Sequence, residues 1–192
     1  DGVDRYFRAS GGGSYESPPG YYGELGLGDG GAYKLREKDG TIFSFRPDLR
    51  LDYIEDTNSN RVGAIYDAGG RLVEVRHSSG QRFKFEYDSR GLLFRFTDDN
   101  SRVTEYSYDA AGEHLIKVAA PGGRVTSYDY YTGSDIAQKH SLKGIVYPDG
   151  THQYYSYDGK GRLTEEYRDG GAERVRYSYD EMGNVSITDA AA

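Results

Sequence analysis

The sequence predicts an all-β fold: an array of about seven antiparallel β-hairpins in which helix is nearly absent. Three observations carry this expectation. An aromatic residue, usually followed by Asp, recurs about every 21 residues. Before each pair, apolar and polar residues alternate, as in Phe83, Phe85 and Tyr87 or Val175, Tyr177 and Tyr179. Period two marks a strand with one covered face. After each pair comes a short turn ending in Gly, and no segment sustains a 3.6-residue period.

The elements follow in order. Residues 1–32 are glycine-rich and loop-like, with Gly11-Gly12-Gly13 and Pro18-Pro19-Gly20, and they carry Tyr15, Tyr21 and Tyr22. They are expected to form a lead-in or a cap on the first hairpins. Residues 33–189 form the array. Phe45, Tyr66, Tyr87 and Tyr108 stand 21 residues apart, and Tyr130 follows 22 residues later with Tyr131 in the Asp place. Tyr157 lies 27 residues beyond Tyr130, so that unit carries an insertion of about five residues near Gly133-Ser134-Asp135. Tyr179 closes the series. Asp67, Asp88, Asp109, Asp158 and Asp180 follow their tyrosines, and Gly70, Gly91, Gly112, Gly161 and Gly183 end the turns. Gly supplies positive φ there, and Asp can bond the main chain of its own turn.

A second strand follows each turn. It is preceded by Leu72, Leu93, Leu115, Leu163 or Val185, each out of phase with the alternation. Such a residue is either a bulge or a side chain packed on the turn. The second strands end at Asp56-Thr57-Asn58-Ser59-Asn60, Asp98-Asp99-Asn100, Pro121-Gly122-Gly123 and Pro148-Asp149-Gly150. These are hairpin-turn compositions. Residues 190–192, all Ala, read as a frayed tail.

Composition narrows the function. The 192 residues hold 27 Gly, 20 Tyr, no Cys and no Trp, at a net charge of −7. Without Cys there is no disulfide framework, thiolate metal site or redox thiol. An excess of acids, 31 against 24 bases, argues against binding a nucleic-acid backbone. No apolar run approaches the ~18 residues of a membrane helix. The opening Asp1-Gly2-Val3-Asp4 and the lack of a signal peptide suggest an excerpt or a processed product.

The units resemble the YD repeats of the Rhs (rearrangement hot spot) family. Tyr66-Asp67-Ala68-Gly69-Gly70-Arg71-Leu72 and Tyr155-Ser156-Tyr157-Asp158-Gly159-Lys160-Gly161-Arg162-Leu163 follow the family pattern. Tyr106-Ser107-Tyr108-Asp109 and Tyr177-Ser178-Tyr179-Asp180 fit the same frame. Departures are Phe45-Arg46, Tyr130-Tyr131, and Glu113-His114 in place of Arg. The resemblance implies a sheet that winds as a curved or spiral shell around a C-terminal toxin or effector, in bacterial polymorphic toxins, insecticidal toxin complexes, wall-associated proteins and teneurins. It implies a non-enzymatic scaffold in an exported or cell-surface, extracellular protein. Fourteen strands at ~4.8 Å span about 67 Å, a ring of radius near 11 Å. A folded effector of ~100 residues has a radius of gyration near 13 Å. The piece is therefore expected to be an arc of a larger spiral, or a sheet whose edges join further YD repeats of the same chain or other copies, as in a fibre.

No residue is assigned a catalytic, cofactor or metal role. Gly26-Leu27-Gly28-Asp29-Gly30-Gly31 matches a dinucleotide fingerprint in letters but lacks the following helix. Asp56 to Asn60 opens like a calcium loop, yet Arg61 stands where Gly is required. Glu165-Glu166 could be sought as a hydrolytic pair, although 31 acids place some together by chance. His77, His114, His140 and His152 share no ligand spacing, which leaves them surface or strand residues. Asn184-Val185-Ser186 is a formal glycosylation sequon. The alternative function is a carbohydrate-binding or adhesive face built from tyrosines, with glycans as partners.

Overall fold

A computed structural model of the chain describes residues 4–133 and 135–189. Ser134 of the insertion and the tail at 190–192 lie outside the described residues. The fold is all-β, as expected: the described residues form eighteen strands, with two single 3-10 turns at Asp29–Gly31 and Asp169–Gly171. Strand pairings are antiparallel throughout.

The chain divides into two compact units. One comprises Asp1–Glu86 with Thr97–Ser101. It holds β1 (Arg8–Gly11), β2 (Ser14–Glu16), β3 (Glu24–Leu27), β4 (Tyr33–Arg36), β5 (Ile42–Phe45), β6 (Leu51–Glu55), β7 (Arg61–Tyr66), β8 (Leu72–His77) and nearly all of β9 (Arg82–Tyr87). Each strand pairs with the next. The other comprises Tyr87–Phe96 and Arg102–Ala192. It holds most of β10 (Leu93–Thr97), then β11 (Val103–Tyr108), β12 (Leu115–Ala120), β13 (Arg124–Tyr130), β14 (Leu142–Val146), β15 (His152–Tyr157), β16 (Leu163–Arg168), β17 (Val175–Tyr179) and β18 (Val185–Asp189). From β11 onward each strand again pairs with its successor.

The glycine-rich start differs from a loop. It carries β1 to β3, and β3 pairs with β4 over four residues, from Glu24 opposite Arg36 to Leu27 opposite Tyr33. Residue 32 therefore falls in a hairpin turn. These strands of three or four residues are too short to show a period, and Gly bounds them, so pattern alone reads them as loop. Side chains fasten the segment: the Tyr15 hydroxyl lies 3.3 Å from that of Tyr33, and the Tyr21 hydroxyl donates to Glu37 Oε1 at 2.6 Å.

One turn design recurs. The Asp67 N–H donates to the Arg71 carbonyl and the Gly70 N–H to the Asp67 carbonyl, both at 2.9 Å. The same pair of bonds closes the turns that start at Glu37, Arg46, Asp56, His77, Asp88, Tyr147, Asp158 and Asp180. This is a type I turn followed by a left-handed residue. Gly occupies the left-handed place at φ +76 to +100 in most of them. Leu49 and Ser59 occupy it at φ +66 and +65.

Leu72, Leu115 and Leu163, out of phase in the sequence, prove to be bulges. Leu72 stands opposite Tyr66 while Glu74 stands opposite Ile65, so two residues of β8 face one interval of β7. The same shift occurs at Leu51, Leu115, Leu142 and Leu163. Val185 is different: β17 and β18 pair without a shift. Among the described residues no apolar side chain is fully buried; Ser44 and His114 are the buried polar ones. Neither unit is held by an apolar interior of the usual kind.

Two turn glycines separate backbone strain from contact. Gly150 and Gly161 both have positive φ, +81 and +76. A Cβ on Gly150 meets nothing within 4 Å, whereas one on Gly161 collides with the Ala137 carbonyl. G150A should cost about 1–2 kcal/mol from φ alone, and G161A clearly more. Urea unfolding of both variants measures the difference.

Candidate functional site

The repeat residues form a joint between neighbouring hairpins. Phe45, Tyr66, Tyr87, Tyr108, Tyr130, Tyr157 and Tyr179 are the last residues of β5, β7, β9, β11, β13, β15 and β17. The residue opening each following strand is Leu51, Leu72, Leu93, Leu115, Leu142, Leu163 or Val185. Across hairpins the two series meet. The Tyr66 hydroxyl donates to the Leu51 carbonyl at 2.9 Å, Tyr108 to Leu93 at 3.0 Å, Tyr130 to Leu115 at 3.0 Å and Tyr179 to Leu163 at 2.7 Å. A bulge takes one residue out of the ladder, so its main-chain group needs a partner elsewhere. The tyrosine of the next hairpin supplies it. Phe45 can lack a hydroxyl because the preceding hairpin, β3–β4, has no bulge. Burial raises the Tyr108 and Tyr130 hydroxyl pKa, keeping both as donors.

The aspartates hold the turns. Asp158 Oδ1 accepts the N–H groups of Lys160 and Arg162, at 2.8 and 3.0 Å, and Oδ2 accepts Arg162 Nε at 2.8 Å. Asp67 accepts the Arg71 N–H and Nε, and Asp88 accepts the N–H groups of Arg90 and Leu92 with Arg90 Nε. At Asp180 the partner is Asn184, whose amide donates at 2.7 Å. The sequon asparagine is thus engaged in its turn. Where Asp is missing, at Arg46, Asp48 binds the Arg50 N–H and guanidinium instead. The Arg50 guanidinium lies against the space a Cβ on Gly70 would take. Arg90 Nη1 donates to the Asp109 carbonyl at 3.0 Å, and Gln138 Nε2 to that of Tyr157 at 3.0 Å. The Gly70, Asp109 and Asp158 turns are thereby touched from the preceding hairpin. Arg162 also sits 4.2 Å over the Tyr179 ring.

Glu165 and Glu166 do not converge. Glu165 Oε1 accepts Arg174 and Arg176, and Glu166 Oε1 accepts the Tyr177 hydroxyl at 2.6 Å. Residues 56–60 and 98–100 are hairpin turns with Asp56 and Asp98 bound to their own main chain. Gly26 and Leu27 belong to β3, and a 3-10 turn follows rather than a helix.

The expectation for the histidines is corrected at one place. The Asp109 turn is one residue longer than the others, so that the Asp109 N–H bonds the His114 carbonyl. His114 is 9% exposed and its Nδ1 lies 2.6 Å from Asp109 Oδ2. His140, brought back by the insertion, places Nδ1 2.8 Å from His114 Nε2. Glu113 Oε2 lies 3.8 Å from His140 Nδ1. Spacing could not show this, because 26 residues and a loop separate the two rings. The available signal was coincidence: the one unit with an insertion follows the one turn with His in the Arg place.

Hairpins joined by strand-terminal tyrosines and closed by turn aspartates define a YD-shell segment. The chain belongs to the teneurin YD-shell family, whose model matches residues 53–190. It is 30% identical over 145 residues to Double-stranded DNA deaminase toxin A of Burkholderia cenocepacia (strain H111), covering 76% of this chain and 10% of that protein. It is 28% identical over 131 residues to human Teneurin-4, covering 62% of this chain and 5% of that protein. The chain spans a tenth or less of the length of these curated relatives. In fold it resembles the crystal structure of TcdB2-TccC3-Cdc42, with a TM-score of 0.63 at 11% identity over 95% of this chain and 11% of that one. TcdB2-TccC3-TEV matches at 0.58 and 14% identity, covering 92% of this chain and 12% of that one.

Two outcomes follow. Y108F removes one joint bond and should cost about 1 kcal/mol, the net worth of a typical hydrogen bond, in urea unfolding. The second concerns acid. The His114 ring beside it holds the Asp109 carboxyl down to about 2, and the Arg162 main-chain N–H with its guanidinium does the same at Asp158. Asp67 and Asp180 are lowered too, by the Arg71 N–H and the Asn184 amide. A depressed folded-state pKa stabilises above the unfolded value near 3.9 and is lost as pH falls through the folded one. The urea midpoint should therefore hold above about pH 4 and drop toward pH 2, less steeply in D158N.

Proposed function

We propose that the chain is a non-enzymatic scaffold segment, an arc of the β-sheet shell of an exported or cell-surface protein. The observation that supports this most is the joint itself. The chemistry-bearing side chains are spent on the architecture: tyrosine hydroxyls on the carbonyls of the preceding hairpin, and aspartates on their own turns. A shell grows by adding such joints. Its repeats contact only neighbours, as in other repeat arrays.

The size argument points the same way. Eighteen strands at about 4.8 Å each could close at most a ring of radius about 14 Å before side chains are counted. A folded cargo of ~100 residues needs more. The segment therefore acts with further repeats. Its last strand fits that use: β18 is exposed along its length, with Val185 and Ile187 at 50% and 66%. Exposed apolar edge strands add strands from other chains or repeats. The toxin and teneurin relatives support an extracellular setting. A glycan-binding face draws less support, since the hydroxyls of the repeat tyrosines Tyr66, Tyr108, Tyr130 and Tyr179 are bonded within the chain.

Light scattering across a range of concentrations tests the reading. The chain should associate as concentration rises, and V185K/I187K should suppress association by placing charge on the edge. A compact monomer at every concentration would contradict edge-mediated assembly.

A further inference from the structure

The repeat design leaves one cluster without a part to play. Glu113, His114 and His140 bring three ligand atoms within 4.8 Å of one another. We propose that they bind a divalent transition ion of the zinc class, which clasps the inserted loop at His140 onto the Asp109 turn. Imidazole and carboxylate are the ligands such ions take in the absence of thiolates.

The ring geometry suits a metal. The His114 and His140 centroids are 4.8 Å apart, while their nearest nitrogens are 2.8 Å apart. The ring planes are 28° apart, and their shortest polar contact is nitrogen to nitrogen. Bonds of about 2.0–2.1 Å in a tetrahedral site place two nitrogens about 3.3 Å apart. An opening of about 0.5 Å admits the ion. Glu113 Oε2, already 3.8 Å from His140 Nδ1, completes a three-ligand set with a fourth position for water.

Asp109 prepares the set. Its carboxylate can only accept, so the His114 proton sits on Nδ1 and the Nε2 lone pair points at His140. A carboxylate behind a ligating imidazole is the usual partner of a metal-bound His. Without metal, His140 Nδ1–H donates to that lone pair. With metal, His140 carries its proton on Nε2 instead, and both lone pairs reach the ion without a change in net charge. The main chain fixes His140 as well. Its N–H donates to the Tyr131 carbonyl at 3.0 Å, and it holds φ +72, which a non-glycine residue adopts only under local constraint. The His152–Asp169 pair lacks a second imidazole and serves as a control.

The test is calorimetric titration of the whole chain with Zn²⁺, paired with Co²⁺ absorption to report the ligand field. One saturable site per chain is expected. H140Q should weaken binding at least tenfold, D109N by about 10- to 100-fold, and H152Q not at all. If H114Q fails to fold, H140Q decides, since that side chain lies 45% exposed on the loop. Absence of saturable binding to the wild-type chain, or binding by H140Q as tight as wild type, would overturn the proposal.

Discussion

The structure depends on satisfying a bulge carbonyl without an apolar interior to enclose it. A bulge after the repeat turn, as at Leu51, Leu72, Leu115, Leu142 and Leu163, re-aims the strand and removes one residue from the ladder. In a globular protein, packing would cover the damage. Here no apolar side chain among the described residues is fully buried, so a directional bond does the work. The tyrosine hydroxyl reaches the carbonyl from the next hairpin, while its ring covers the sheet between them. Tyrosine offers both an apolar plate and a hydroxyl donor at the ring's far end. Abundant Tyr and a modest aliphatic content follow from the joint.

Cohesion is consequently one-dimensional. A lone hairpin is marginal in water, and neighbours share stability through the ladder, through hydroxyl bonds such as Tyr108 to Leu93, and through a guanidinium or amide laid on the next turn at Asp109 and Tyr157. The glycine of the turn serves twice. It takes the left-handed conformation, and at Gly70 and Gly161 it also leaves room for the preceding unit.

Much of this was legible. Period-two alternation and the 21-residue aromatic series place the strands, and Asp before Gly marks the turns. The bulge was visible as an out-of-phase Leu but not decidable, because periodicity reports facing and not register. The strands before residue 28 were hidden by their length. The histidine cluster was hidden for a different reason: it joins a lengthened turn to an inserted loop, and neither departure predicts where the other will lie. Both stand where the repeat pattern breaks, which is where a repeat protein has room for chemistry beyond its own assembly.

Hydroxyl-to-bulge bonds hold the hairpins together. Replacing Tyr66, Tyr108, Tyr130 and Tyr179 by Phe in one chain tests it most directly, because the rings stay and only the donors go. Urea unfolding should then lose about 4 kcal/mol, near the sum of four independent bonds, and the transition should broaden as hairpins part separately. A loss below about 1 kcal/mol with unchanged cooperativity would show that the ladder and ring packing suffice, and would contradict the account.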